Sequence, residues 1–307
     1  MGRNNLRDAL VVLTGGRGFV GRYAAQALLR AGARVRIAAR HPEKAYALKV
    51  LGNPGQVEFA RASMLDPASV ARALTGADAV VNLVGVFSGQ LDAVQGRGVG
   101  LLAKAAREAG AQAFVHISAI GADAASPVPY ASSKAAGEAA ALEAFPQATI
   151  LRPSVIFGQD DNFLNMFGRM MGMMGGLPIR GAMPVFVPEG LLQPVWVEDV
   201  AQAIRVAVEA PQAHGRHIYE LGGPEVLSML ELNRRIADAV KQAPHLLPMP
   251  DWAASLFAAL PMTPISADQI TLLKAGSVVG EGAAGFASLG ITPHPLGLFL
   301  DRWMARY

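Results

Sequence analysis

Thr14-Gly15-Gly16-Arg17-Gly18-Phe19-Val20-Gly21 is the stretch on which the reading of this chain turns. It follows the apolar run Ala9–Thr14, which is short, rich in β-branched residues and reads as a buried strand. It opens the segment Phe19–Ala31, whose length and apolar spacing read as a helix. Gly15, Gly18 and Gly21 form a GxxGxxG pattern at that strand-to-helix turn. The first glycine permits the tight reversal, the second lets backbone N–H groups approach an anion, and the third allows close helix–strand packing. The N-terminus of the next helix favours negative charge, so the pattern points to a bound pyrophosphate. Glycines alone are weak evidence, because an ordinary βα turn uses them too. Here the strand before, the helix after and the N-terminal position all agree.

Working outward, Arg34–Ala39, Val57–Ala60, Ala79–Leu83 and Ala113–Ser118 read as further strands. Helical stretches at Pro67–Leu74, Leu91–Ala109 and Tyr130–Phe145 separate them. Buried runs without alternation, each followed by a helix, predict an α/β fold: a Rossmann-type, doubly wound parallel sheet with a smaller C-terminal substrate-side lobe. After Ala148–Leu151 the rhythm breaks into Arg152-Pro153, a Met-rich segment from Phe163 to Met174 and a Gly/Pro stretch up to Pro188. The helix Val197–Glu209 resumes it, followed by Tyr219–Leu221, a helix at Ser228–Gln242 and a Pro-rich tail. We expect a dinucleotide-binding domain over residues 1–152, with 194–210 returning to it, and a mixed lobe over 153–307.

Composition excludes several classes. Hydrophobic residues make up 52% of the chain and charged ones 17%, enough for a large core and too apolar for disorder. Cysteine is absent, which removes disulfides and thiolate metal sites and fits a reducing compartment. The net charge is +3 with no basic run, so nucleic acid is not an expected partner. The six histidines, His41, His116, His214, His217, His245 and His294, show no metal-ligand spacing, and no metal is expected. Asp160-Asp161 reads as a helix cap rather than a cation site. No signal peptide or transmembrane segment is read, so the expected location is cytoplasmic or the cytosolic face of a membrane, which the resemblance described below narrows to a peripheral place on the inner membrane.

The end of the second strand is where an acidic residue would hold the ribose diol of NAD. Arg40 stands there instead, with His41 and Lys44 after it and Arg17 in the glycine loop. Clustered cations suit a 2′-phosphate, because guanidinium pairs with phosphate in a bidentate way. NADPH is therefore the expected cofactor, ahead of NADH; a solvated basic rim is the plain alternative.

The chain resembles a known superfamily at several points. Gly15–Gly21, Asn82-Leu83-Val84-Gly85, Tyr130-Ala131-Ser132-Ser133-Lys134, and Arg152-Pro153 with Gly158 are similar, in order, to landmarks of extended and atypical short-chain dehydrogenases. Asp199, within Pro194–Ala201, matches a later one. Phe114–Asp123, Tyr130–Glu138, Leu151–Gly158, Asp161-Asn162-Phe163 and Tyr219–Pro224 resemble a narrower branch, that of the nucleotide-binding accessory subunit of respiratory complex I (NADH:ubiquinone oxidoreductase alpha subcomplex subunit nine). This likeness runs nearly end to end. It implies a tightly held NADPH and does not by itself imply turnover. Bacterial and fungal relatives in that branch are also linked to ubiquinone synthesis.

The resemblance implies that Tyr130 is the general acid/base and that Lys134 holds the ribose and lowers the phenol pKa. At i and i+4 the two share a helix face. The third member of such a site is a Ser or Thr at the preceding strand end. Ser118 is the only candidate, and by register it precedes the usual place, where Ala119 and Ile120 cannot donate. Dehydrogenase chemistry is therefore expected to be incomplete, with Tyr130 and Lys134 serving as ribose ligands. The expected cofactor-binding set is Gly15, Arg17, Gly18, Phe19, Val20, Gly21, Arg40, Lys44, Ser63, Met64, Val84, Gly85, Ser118, Tyr130, Lys134, Pro153 and Val155. Ser63 stands where relatives often carry an Asp that meets the adenine amine, and Asp66 lines up with a later acid.

Two apolar features remain. Phe163, Met166, Phe167, Met170, Met171, Met173 and Met174 crowd one segment, which reads as plain core or as the lining for a long apolar, quinone-like ligand. Trp252, Leu256 and Phe257 at helical spacing suit a hydrophobic subunit better than lipid alone, with Arg302 and Arg306 adding attraction to acidic surfaces. Three functions stay open: a non-catalytic accessory or assembly subunit of membrane-bound complex I, an NADP-dependent reductase or epimerase acting on a quinone precursor or other isoprenoid-like substrate, and an NADPH-sensing regulator.

Overall fold

In the computed structural model the described residues are 6–175, 182–242, 244–259 and 265–307. The chain begins with β1 (Leu10–Thr14), whose five residues are all buried, then α1 (Phe19–Arg30) and β2 (Arg34–Ala39). After a 3-10 segment at Pro42–Leu51 come β3 (Val57–Arg61), α2 (Pro67–Leu74) and β4 (Ala79–Asn82). Then follow α3 (Gly98–Glu108), β5 (Ala113–Ile117), α4 (Pro129–Ala144) and β6 (Thr149–Pro153). With the strand Ile218–Leu221 these form a seven-stranded sheet in the order Ile218–Leu221, β6, β5, β4, β1, β2, β3. All pairings among β1 to β6 are parallel. The order reverses at β1, the switch point where doubly wound sheets place their ligands, outside the strands' carboxyl ends.

Local chemistry explains the boundaries. Pro67 and Pro129 start α2 and α4 at the position where a missing N–H costs nothing. Asp66 caps α2 by accepting from the Ser69 N–H at 3.1 Å. Against one sheet face, Val12, Val80, Phe114 and Ile150 from four adjacent strands pack with Leu74, Leu102 and Phe145 of the covering helices. Each buried large side chain of this kind contributes roughly 1.5–3 kcal/mol.

Two compact units result. The first is Met1–Pro153, Val197–Glu220 and Ala283–Ile291; the second is Ser154–Trp196, Leu221–Gly282 and Thr292–Tyr307. The division differs from the expected one, because 211–220 and 283–291 also belong with the first unit. The reason is local: the Glu220 N–H, beside the sheet edge, donates to the Ala284 carbonyl at 2.8 Å.

The second unit corrects several readings. In the helix Phe163–Gly175, Leu164, Phe167 and Met171 are fully buried, whereas Met173 is exposed; the Met174 side chain lies outside the described residues. Asp161 caps this helix, accepting from the Leu164 N–H at 2.7 Å. Phe257 does not share an outer face with Trp252 and Leu256. It packs against Phe186 at 5.1 Å, while Trp252 and Leu256 stay exposed. Nor are the two C-terminal arginines free: Arg302 lies over the Phe299 ring at 4.9 Å, and Arg306 donates to the Gln159 carbonyl at 2.9 Å. Trp196 stacks on Phe299 at 4.0 Å, forming an aromatic core for this unit. Among the described residues, no helix is long and apolar enough to cross a membrane.

Candidate functional site

The glycine loop joins β1 to α1 at the carboxyl end of the sheet. Gly15 has φ +73, and a Cβ there would lie 3.1 Å from the Leu83 carbonyl carbon and the Val84 nitrogen. Only glycine takes that conformation without strain. The Gly15 N–H donates to the Ala38 carbonyl at 3.0 Å, which ties the loop to the end of β2. At Gly21 a Cβ would lie 2.4 Å from the Gly16 carbonyl oxygen. The third glycine thus admits the helix to the loop's own backbone, a correction to its expected helix–strand role. No side chain caps α1 at Gly18, so the helix N-terminus presents backbone donors alone. This cradle fits a pyrophosphate.

Arg17 and Arg40 are both exposed, as is Lys44. Among the described residues none of these three has an ion-pair partner, whereas His41 pairs with Glu43 at 3.2 Å. Ser63 is half-buried, and its hydroxyl accepts from the Leu65 N–H at 3.3 Å. Met64 is buried beside it. Asp66 is spent on the α2 cap.

Across the sheet end runs a buried polar row. Thr14 Oγ1 donates to Asn82 Oδ1 at 3.0 Å, and the Val84 N–H donates to the same oxygen at 3.1 Å. The Asn82 amide then faces His116 Nδ1 at 3.1 Å and donates to it, which places the ring proton on Nε2. Burial, and then the Lys134 charge, hold the His116 pKa well below the usual imidazole range, so the ring is neutral. His116 Nε2 and the Ser118 hydroxyl are both buried without a partner among the described residues. Ser118 neither caps backbone nor meets Tyr130.

Tyr130 and Lys134 lie on α4. Lys134 is buried, and its Nζ donates to the Ile117 carbonyl at 3.0 Å. It lies 5.9 Å from the Tyr130 ring centroid and close against Gly85, where a Cβ would lie 3.4 Å from it. Burial lowers the lysine to about 8, against the opposing pull of Glu138. Burial pushes the Tyr130 phenol up to about 12, the opposite of activation. Phe87 covers one face of the phenol in a near-parallel stack, 4.7 Å between centroids and 11° between planes.

Gln95 is a residue the sequence reading missed. It is fully buried; its Oε1 accepts from the Val86 N–H at 3.1 Å and its Nε2 donates to Ser133 Oγ at 2.8 Å. It lies on a π-helical turn, Asp92–Arg97, where an ordinary helix from Leu91 was expected. Such turns recur at functional sites. Gly96 and Gly98, breaking an otherwise helical run, were the available signal. A second omission is the role of Arg152, whose Nε donates to Glu138 Oε1 at 2.9 Å beneath α4. Pro153 ends β6 in the first unit, and Val155 belongs to the second. Among the described residues no cluster of three or more His, Asp or Glu could hold a metal.

Residues 11–222 match the NAD dependent epimerase/dehydratase family. The chain belongs to that family. The family's cofactor class is a nicotinamide dinucleotide, which the glycine cradle fits. Over 326 residues the chain is 31% identical to NADH dehydrogenase (ubiquinone) 1 alpha subcomplex subunit 9 of Arabidopsis thaliana, covering 100% of this chain and 80% of that protein. It is 27% identical over 250 residues to a ceramide reductase of Caulobacter vibrioides, covering 79% and 74%. The fold of this family member superposes on a Citrobacter sp. triphenylmethane reductase complexed with NADP(H), with a TM-score of 0.72 at 20% identity over 96% and 98% of the two chains.

Proposed function

We propose that this protein is an NADPH-binding accessory or assembly subunit of respiratory complex I that holds its cofactor without turning it over. The observation that carries the reading is the state of Tyr130. Its phenol is driven up to about 12, its face is covered by Phe87, and the nearby ammonium is tied to the Ile117 carbonyl. No side chain at Ala119 or Ile120 can donate a hydrogen bond to a substrate oxygen. The likeness to alpha subcomplex subunit 9 supports the assembly role.

In this reading Gly15 and Gly18 shape the loop around the pyrophosphate, and the uncapped N–H groups of Phe19, Val20 and Gly21 hold it. Arg17, Arg40 and Lys44 take the 2′-phosphate, and Ser63 and Met64 flank the adenine. Val84, Gly85, Pro153, Ser118, Tyr130 and Lys134 serve the nicotinamide half. When bound, the dinucleotide can supply hydride; the chain's contribution is to seat it and to keep Tyr130 protonated. A ligand at a thousandfold excess over its dissociation constant adds on the order of 4 kcal/mol to stability, a sufficient purpose for a subunit.

The second reading, an NADP-dependent reductase or epimerase for an isoprenoid-like substrate, is favoured by Tyr130 and Lys134 sharing one helix and by the likeness to a ceramide reductase. One experiment separates the two: mild-detergent isolation of the protein from its native membranes, with and without Tyr130→Phe. We expect complex I subunits at near-equal abundance in both preparations. Wild-type protein free of complex I, with a phenotype abolished by Tyr130→Phe, would replace the accessory reading by the enzymatic one.

A further inference from the structure

A groove of about 800 Å3 opens along the outer side of α3 and is lined also by Ala140 and Ala144 of α4. Two large aliphatic side chains on its walls face solvent, Leu65 at 55% exposure and Leu101 at 45%. The two helices meet closely at its floor, where a Cβ on Gly100 would lie 3.0 Å from that of Ala140. α4 is composed unlike a solvated helix. Its Lys134 and Glu138 are buried, and after Pro129 its exposed positions are Ala136, Ala139 and Glu143. Surface helices carry charge at such positions, so alanine there suits a helix that is covered.

Charge decides what covers it. Arg97, just before α3, and Lys104 and Arg107 within it line the groove against one acid, Glu143. Their spacing of seven and three residues sets them in a row on one helix face, roughly 15 Å long. Arg97 meets Asp92 at 2.8 Å and Lys104 meets Glu108 at 3.8 Å, but both pairs are exposed and hold their cations weakly. Arg107 has no ion-pair partner among the described residues. A second copy of the chain on this face would bring three more cations and one more acid, the wrong sign for the row. We infer that the groove seats an acidic amphipathic helix of a partner protein. Its apolar stripe lies on Leu65 and Leu101, and its Asp and Glu side chains lie along Arg97, Lys104 and Arg107. This deepens the accessory-subunit reading and rests on it.

The test isolates the full chain from its native membranes in mild detergent. Wild type is compared with Lys104→Arg and with the double variant Lys104→Glu/Arg107→Glu, all three with equal thermal midpoints and NADP+ affinities. The double variant sets like charges against the partner, so co-isolated protein should fall at least about tenfold, while Lys104→Arg keeps it. In a second arm, which does not depend on the double variant folding, a photoreactive benzophenone side chain placed at Leu101 is crosslinked in those membranes. The captured segment should show apolar residues at helical spacing, with Asp and Glu outnumbering Lys and Arg. Wild type isolated without any partner would overturn the accessory reading and this inference with it. A partner retained in full by the double variant, or a crosslink to lipid, to a second copy or to a segment without excess acid, would overturn the inference alone.

Discussion

The glycine loop and the Tyr130–Lys134 helix stand at the same end of one sheet and are built in opposite ways. The loop works through backbone: no side chain caps the N–H groups that open α1, Arg17 in the loop and Arg40 at the end of β2 are exposed, and its shape follows from two glycines that nothing else could replace. The helix pair works through side chains, and these are committed elsewhere, Lys134 to the Ile117 carbonyl and Tyr130 to Phe87. The first region is ready to bind as it stands. The second would have to release the buried Lys134–Ile117 bond before the ammonium could turn to the phenol. Binding and turnover draw on separate interactions, so a fold can keep one while the other lapses.

The sharpest way to break this contrast is at the loop. In Gly21→Val the new Cβ falls 2.4 Å from the Gly16 carbonyl oxygen, backbone that cannot move aside without losing the cradle. NADPH affinity should fall more than about 100-fold and stability by about 1–3 kcal/mol, measured by titration and chemical denaturation. Wild-type affinity would mean that the cradle is not the binding site. Next comes Arg40→Ser. Charge-assisted contacts are worth about 1.5–3 kcal/mol, so NADPH should weaken by roughly 10- to 100-fold while NADH changes little. Parallel loss of both cofactors would make Arg40 a general anion contact and remove the argument for NADP selectivity.

A smaller effect is expected on the side-chain half. Gln95→Leu strands the Val86 N–H and removes the bond that the Ser133 hydroxyl accepts, and should cost about 2 kcal/mol. It should also loosen the Phe87–Tyr130 stack, seen as sharper, averaged ring resonances by NMR. Unchanged ring resonances would show that the stack needs no tether from Gln95.

The two halves also differ in how much of them the sequence reveals. A backbone-made site leaves its signature locally: glycine spacing fixes the loop, and the strand and helix on either side complete it. The side-chain half depends on partners from distant segments. Tyr130 and Lys134 were legible as a pair, but Ile117 as the lysine's acceptor and Gln95 as the tether depend on β5, α4 and the π-helical turn meeting in space. No periodicity encodes a π turn. The same limit applies to the fold. The strands of the parallel sheet announce themselves as apolar runs, whereas Ile156–Phe157, Leu191–Leu192 and Val195–Trp196 are two residues each, too short for any period to show. Phe257 was misplaced because helical spacing says that three residues are neighbours and not which of them faces Phe186.

The least effect, and the most direct test that the second half is sealed, is the pH dependence of stability. Lys134 titrates near 8 in the folded chain and near 10.5 when unfolded, so between those values the unfolded chain binds more protons and stability rises with pH. Tyr130 behaves oppositely: its folded value is about 12 against 10.0 unfolded, so stability falls as pH rises between them. Urea midpoints should therefore climb from pH 8 toward 10 and decline above it, each limb amounting to about 1 kcal/mol once water penetration is allowed for. Lys134→Met should remove the climb and leave the decline; Tyr130→Phe should do the reverse. If Lys134→Met instead runs parallel to wild type, the lysine is solvated and free to meet the phenol, and the Tyr130–Lys134 half is as ready for its task as the glycine loop is for its own.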